Sequence, residues 1–438
     1  MAIVRKITDG TTTVDFNDGS TLHLARPFDL GVGSEGGDVT TVIRCLWDSS
    51  VSQDNRAATR QSIQLLLNKG RDRRKFRRAE DWVWLEVRSE NENLTRYAVV
   101  KGGLVASPTS NEEDDKQDFL RVSITREAEW RDATPDGAGQ AAVSAVTIYN
   151  KSDADGDNWV TVSDSGRGDA PSITKIINEV SNNGIDTLIV GAKYGSTTHL
   201  DGFNPWFNPT DLANNGGGTQ TADPLAPADF TLVTMTSGEP YWQISAANLD
   251  HYHGNYRAYV YAKGAGLGSA TIGIEHGSQT APLTTVDIPT THLLHDLGPV
   301  TLPDFPIVFS NLPTTGNYQV RLDIDVTGVY TVTIYGLILV PLEESFFVTS
   351  PEGITGSNTQ WTIDGFTQNT YLANSSGDQL LGFPLVPSGR HPQIRMANDD
   401  NIRFYFFADN GSTTPYFNDT MQITVRVKDG HLTSIGTG

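Results

Sequence analysis

FLRVSITREAEWR, residues 119–131, decides the class of the chain: Phe119, Arg121, Ser123 and Thr125 alternate with Leu120, Val122 and Ile124. A period of two is what a strand with one buried and one open face requires. The same signal recurs on either side. DWVWLEVRS and RYAVVKGGLV precede it as strands, and VTTVIRCLW stands further upstream, after the glycine-rich GVGSEGG. Residues 2–24 read as a β-hairpin: AIVRKI and TTTVDF, the turn NDGS, then TLHLA. Between VTTVIRCLW and DWVWLEVRS the period changes. From Asp54 to Lys69, Ile63, Leu66 and Leu67 share one helical face, with Asp54 as cap and Gly70 as stop. One helix therefore flanks the sheet of a first module, residues 1–133.

A chain of 438 residues exceeds one ordinary core, so two to four domains are expected. Short runs rich in Thr, Val, Ile, Tyr and Trp, separated by Gly, Asn, Asp and Pro, make the class mainly β. The net charge of -20 repels phosphate backbones, which argues against tight nucleic-acid binding. Cys45 is the single cysteine, so no intramolecular disulfide can form. No long apolar run suggests membrane insertion, and MAIVRKITDG lacks the apolar stretch of a signal peptide, so synthesis in the cytoplasm is expected.

ATPDGAGQ reads as a linker into a β-rich connecting region, residues 134–228. That region has strands at VSAVTIY, WVTVSD and DTLIVGAKY, a strand or short helix at SITKIINEV, and a long loop from Gly195 to Pro227 that contains FNPWFNP. In residues 229–342, eight short strands from FTLVTM to YTVTIYGLILVP suit a jelly roll able to fold alone. Residues 343–438 carry QWTIDGF, NIRFYFFAD and MQITVRVK, which either complete an earlier sheet or form a small docked sandwich.

The first module, from the hairpin through the helix to LEVRSENENLTRYAVVKGGLV and FLRVSITREAEW, resembles the N-terminal part of siphophage distal-tail-type proteins. GNYRAYVYAKG, LLHDLGPVTLP and YTVTIYGLILVP look like the galactose-binding or carbohydrate-binding jelly rolls inserted in such proteins. LVPSGRHPQIRMANDDNIRFYFFAD looks like their closing segment. The resemblance implies a tail-tube-like β-sandwich with one flanking helix, an inserted jelly roll and a short C-terminal β segment. It also implies a non-enzymatic structural protein of the virion, found in the phage tail and assembling with its own copies in a ring, hexamer or trimer. Other tail proteins are then neighbours, and a host-surface glycan is a candidate ligand. A tail tube or tube-decorating protein is the alternative, followed by a carbohydrate-active enzyme or receptor-binding module.

Candidate sites follow from charge and aromaticity. Lys69, Arg71, Arg73, Arg74, Lys75, Arg77 and Arg78 form a basic run, and Glu112, Glu113, Asp114 and Asp115 an acidic one. Complementary runs in one module suit a subunit interface, although charge runs are as often solvated loops. Phe203, Trp206 and Phe207 could stack on a pyranose ring, but packing is the more common use of such aromatics. Asp153, Asp155 and Asp157 alternate as calcium ligands can, yet Asn158 stands where an EF-hand-type loop needs glycine and Asp164 where it needs glutamate. His251 with His253, placed on one side of a strand, and His292 with His295 would need further ligands converging in space to hold zinc, and ordinary surface or hydrogen-bonded histidines are the more common case. No nucleophile elbow, HExxH helix, Walker loop or dinucleotide fingerprint occurs, so no cofactor is implied.

Overall fold

The computed structural model describes residues 2–25, 37–73, 82–89, 95–106, 119–128, 130–131, 141–142, 146–148, 158–163, 170–178, 185–222, 231–245, 248–276, 279–282, 284–291, 293–302, 318–342, 346–349, 359–364, 369–374, 379–383, 393–394, 401–409, 411, 421–427 and 430–431. The N-terminal module contains β1 (Ala2–Thr8), β2 (Thr13–Asp15), β3 (Leu22–Leu24), β4 (Asp38–Trp47), α1 (Gln53–Arg71), β5 (Trp84–Ser89), β6 (Thr95–Val105), β7 (Phe119–Glu127) and β8 (Trp130–Arg131). Its strands pair in the order β2-β1-β5-β6-β7-β4-β3, with β8 beside β6. The outermost strands β2 and β3 are neighbours in the chain. A flat sheet would hold them about 29 Å apart at ~4.8 Å per strand, whereas the backbone between Asp15 and Leu22 reaches ~25 Å at full stretch. It is not at full stretch, because Asp18 Oδ1 accepts from the backbone N–H groups of Ser20, Thr21 and Leu22. The sheet must therefore roll. Phe16, Leu22, Ile43, Cys45, Leu85, Val122 and Ile124 meet Ile63, Leu66 and Leu67 of α1 in one core.

The structure differs from the sequence expectation at the hairpin and at both ends of the helix. The hairpin is β1 with β2, turning at Asp9, whose Oδ1 accepts from Thr11 and Thr12 N–H; TLHLA pairs with β4 instead. The helix starts one turn position earlier than Asp54, because Ser52 Oγ accepts from Asn55 N–H at 3.3 Å. Gly70 does not stop it. A Cβ there would lie 2.8 Å from the Val100 carbonyl oxygen, so this glycine lets α1 close on β6.

Beyond the first module lie β9 (Ala141–Ala142), β10 (Val146–Ile148), β11 (Trp159–Ser163), β12 (Ala170–Asn178) and β13 (Thr187–Gly195); SITKIIN, residues 172–178, is thus strand. Next come α2 (Thr197–Asp201), β14 (Trp206–Phe207), β15 (Thr219–Ala222), β16 (Thr231–Met235), β17 (Tyr241–Ile244), α3 (Leu249–Tyr252), β18 (Gly254–Gly264) and β19 (Gly268–His276). The same unit continues through β20 (Gln279–Pro282), β21 (Val286–Ile288), β22 (Leu294–Leu302), β23 (Tyr318–Val326) and β24 (Val332–Pro341). The C-terminal part holds β25 (Phe347–Thr349), β26 (Thr359–Asp364), β27 (Asn369–Asn374), β28 (Gln379–Phe383), β29 (Gln393–Ile394), β30 (Asn401–Asp409), β31 (Met421–Val427) and β32 (Gly430–His431).

The pairing nests these segments. β18, β22, β24 and β16 make one sheet, extended by β15 at its edge and β14 on β24; β17, β23, β19, β20 and β21 make the facing one. Without β14, β15 and β20 the orders are β16-β24-β18-β22 and β17-β23-β19-β21, two antiparallel sheets of four strands each. The C-terminal strands complete earlier sheets: β30 lies between β11 and β13, β31 and β26 flank β12, and β32 pairs with β8 of the first module.

Candidate functional site

On β7 the alternation read from the sequence is realised. Leu120, Val122 and Ile124 are buried in the rolled core, and Phe119, Arg121, Ser123 and Thr125 face outward. Register extends that face sideways. Leu46, Arg44, Val42 and Thr40 of β4 stand opposite Phe119, Arg121, Ser123 and Thr125, and Leu104 and Gly102 of β6 stand opposite Ser123 and Thr125. α1 covers the other side of the sheet, through Ile63, Leu66 and Leu67. Two features of the outer face are costly for an isolated chain. Leu104 is 63% exposed and Phe119 53% exposed, and Arg44 sits directly opposite Arg121, a like-charged pair that destabilises a ladder.

At one end of this face a groove of about 660 Å³ opens, lined by Arg71, Arg73, Lys101, Asp38, Ser123 and Thr125. It exists because β6 bulges between Val100 and Gly102 and continues through Gly102 and Gly103, both at positive φ (138° and 149°). Any Cβ on Gly103 would sit 2.1 Å from the Ser123 carbonyl oxygen, and one on Gly102 would touch Arg71 Cβ at 3.4 Å. Arg71 Nη2 donates to the Gly103 carbonyl at 3.3 Å. Lys101 Nζ is held by Asp38 Oδ1 at 2.6 Å and Glu127 Oε1 at 3.7 Å. Arg71 and Arg73 have no carboxylate partner among the described residues. In a chain of net charge -20 they are a local surplus of positive charge.

Of the proposed interface residues, Arg73 lines this groove; Arg74, Arg77, Glu112, Glu113, Asp114 and Asp115 lie outside the described residues, as do the calcium candidates Asp153, Asp155 and Asp157. Sequence reading passed over Arg44, Leu46, Leu104 and Phe119. The available signal was an aromatic ring, Phe119, on the polar phase of an alternating strand.

The structure corrects the glycan candidates. Phe203, Trp206 and Phe207 are 1%, 2% and 8% exposed, so no ring face is open to a sugar. FNPWFNP is instead a packed knot. Asn204 Oδ1 accepts from Trp206 N–H at 3.0 Å, and Tyr252 Oη accepts from Asn204 N–H and donates to its carbonyl. Trp242 Nε1 donates to the Asn208 carbonyl at 2.6 Å. Trp206 stacks on Phe407 with centroids 5.3 Å apart, and Gly336 leaves room for its ring, a Cβ there being 2.5 Å from Trp206 Cζ2. Burial of the phenol pushes the Tyr252 pKa up to about 12.

The histidines are also rearranged. His251 lies on α3, not a strand, and its Nδ1 meets His199 Nδ1 at 2.7 Å; His295 Nε2 is 3.1 Å from the Ala262 carbonyl oxygen; His292 lies outside the described residues. No group of three or more His, Cys, Asp or Glu side chains able to hold a metal gathers among the described residues. No helix among them is long and apolar enough to cross a membrane.

No protein-family model and no curated protein matches the sequence. Among solved structures the chain is similar to the SPP1 Dit (gp 19.1) protein, described as a paradigm of the hub adsorption apparatus in phages infecting Gram-positive hosts. Identity is 5% over 98% of this chain and 93% of that one, with a TM-score of 0.29. Two structures of the phage p2 baseplate in its activated conformation, with Sr and with Ca, cover 76% of this chain and 97% and 98% of theirs. Their identities are 11% and 9%, with TM-scores of 0.20 and 0.23. Likenesses at TM-scores this low fix neither fold nor function.

Proposed function

We propose that the chain is a structural component of a bacteriophage tail, a distal-tail-type protein of the tail tip that acts by association rather than catalysis. Its copies form a closed ring, hexameric or trimeric, to which other tail proteins dock. The observation that carries this reading is the open outer face of β4, β7 and β6. An exposed aromatic and two leucines beside arginines matches the make-up of association surfaces, where apolar anchors sit among Arg and a polar rim. The resemblance of this module to the N-terminal part of distal-tail-type proteins supports the same reading. The jelly-roll insert, enclosed by β13 before it and β25 after it, is read as an outward decoration of that ring.

Mass photometry of the purified chain tests the proposal. Closed oligomers are expected for the wild type, and monomers with an unchanged melting curve for Leu104→Glu/Phe119→Glu. A wild type that stays monomeric across micromolar concentrations in both low and moderate salt, alone and with other tail proteins, would sink the reading.

A further inference from the structure

Arg71 and Arg73 project from the end of α1 into the groove without a carboxylate partner among the described residues, and Arg121 is the next outward residue on β7 after Ser123. From Thr125 to Arg121 the strand advances about 13 Å at ~3.3 Å per residue. A four-residue extended peptide spans about the same length. The chain contains one such run of uninterrupted acid, Glu112-Glu113-Asp114-Asp115. We propose that the groove and Arg121 bind this acidic segment of a second copy of the chain. The inference rests on the ring reading above and specifies which surfaces meet.

Several features of the groove suit an extended acidic strand. Gly102 carries no side chain, so a backbone can approach β6 closely beside Arg71, where a Cβ would stand. Ser123 and Thr125 offer hydroxyl donors along the floor. Lys101 is already paired with Asp38, which leaves the arginines as the groups open to a planar, bidentate carboxylate contact. Each copy carries one groove and one acidic segment in the same module. Unlike patches on one subunit give a head-to-tail contact, and such a contact closes into a ring when its rotation allows. Asp38, Asp72 and the negative end of the α1 dipole oppose an anion, so the contact is weak alone and sensitive to salt. Its contribution is register and choice of neighbour, while Leu104 and Phe119 supply apolar contact.

Two single-sided variants test the pairing: Arg71→Glu/Arg73→Glu, and Glu112→Lys/Glu113→Lys/Asp114→Lys/Asp115→Lys. Each is expected to be folded, by unchanged melting, and monomeric by mass photometry. A one-to-one mixture should regain oligomers, because the intact groove of one variant meets the intact acidic segment of the other and the reversed groove faces the reversed segment. An Arg71→Glu/Arg73→Glu protein that forms wild-type rings, or a mixture that stays monomeric, overturns the proposal. The independent probe is a synthetic peptide of residues 107–118 read by fluorescence anisotropy. Affinity for the wild type is expected to fall about tenfold when the arginines are reversed, and again on raising salt from about 50 to about 500 mM. Wild-type rings together with a peptide that binds no better than its lysine-substituted control overturn this inference and leave the tail reading intact. A wild type that never assembles sinks the tail reading, and with it the second copy as occupant.

Discussion

Arg403 on β30 shows how one side chain can tie distant parts of the sequence together. Its Nε donates to Thr161 Oγ1 at 3.0 Å, Nη1 to the Leu200 carbonyl at 2.8 Å and Nη2 to Asp201 Oδ1 at 2.6 Å, while the guanidinium lies over Trp159 at 4.8 Å. The residue is 6% exposed, so removing it leaves the buried Leu200 carbonyl without its donor. Arg403→Met keeps the length of the side chain and loses every donor. It should cost about 1–3 kcal/mol in urea unfolding; a loss below the error of that measurement would mean the staple is not formed. The turn carboxylates act at the same scale. At Asp18, desolvation raises the pKa, but the N–H bonds from Leu22, Thr21 and Ser20 together outweigh it and hold the carboxyl below the usual carboxylate value. A depressed folded pKa means the stabilisation is fully present above about pH 4, the unfolded value, and is lost as pH falls through the folded one. Asp18→Asn should therefore lower the melting temperature at pH 7, and the gap to wild type should close in strong acid. Cys45 has the opposite character. Burial, with Asp15 and Asp18 nearby, pushes its thiol up to about 12, so it should label only on unfolding.

At the scale of elements, the distinction between what was and was not legible in the sequence follows the range of the interaction. β7 was readable because Leu120, Val122 and Ile124 alternate over a single strand with one wet face. α1 was readable from Ile63, Leu66 and Leu67 for the same local reason. The partner of TLHLA was not, since two strands of similar pattern, β2 and β4, compete and only closure of the rolled sheet decides between them. FNPWFNP failed for a related reason: aromatic rings flanked by Pro and Asn read equally well as an open platform or a packed knot. The answer depended on Phe407 and Tyr405, about 200 residues later in the sequence. The interface residues Leu104 and Phe119 share no motif and become a surface only when β6 and β7 pair. For the knot the expected outcome is structural. Trp206→Ala removes a ring packed against Phe407, Tyr261 and Gly336 and should cost about 3–5 kcal/mol, as large-to-small changes in a tight core do. A variant with wild-type stability would return the ring to the role of an open platform.

For the whole molecule, the nesting of the chain decides which pieces can stand alone. The two-sheet unit around β18 and β24 draws on strands before residue 229: β15 at Thr219–Ala222 pairs along β16, and Trp206 and Phe207 pair with Ile338 and Leu337 of β24. Its core also runs outward. Tyr261 and Tyr335, on the far side of the sheet from the unit's interior, pack in the same cluster as Phe407, Tyr405, Phe346 and Ile189, which belong to β30, the lead-in to β25, and β13. That contact joins the insert to strands on both sides of it in sequence. A fragment of residues 229–342 would lose β14, β15, Phe203 and the Trp206–Phe207 knot together, and is expected to melt without a cooperative transition. A fragment of residues 196–342 keeps both sheets, α2, α3 and the knot, so it should melt cooperatively. It would still expose the tyrosine face that Phe407 covers in the full chain, and an apolar patch of that kind drives association. The longer fragment should therefore self-associate, and Tyr261→Gln/Tyr335→Gln should restore a monomer while leaving the transition in place. Calorimetry and mass photometry of the two fragments decide the matter: a cooperative, monomeric 229–342 fragment would show that the shared core contributes nothing the insert needs.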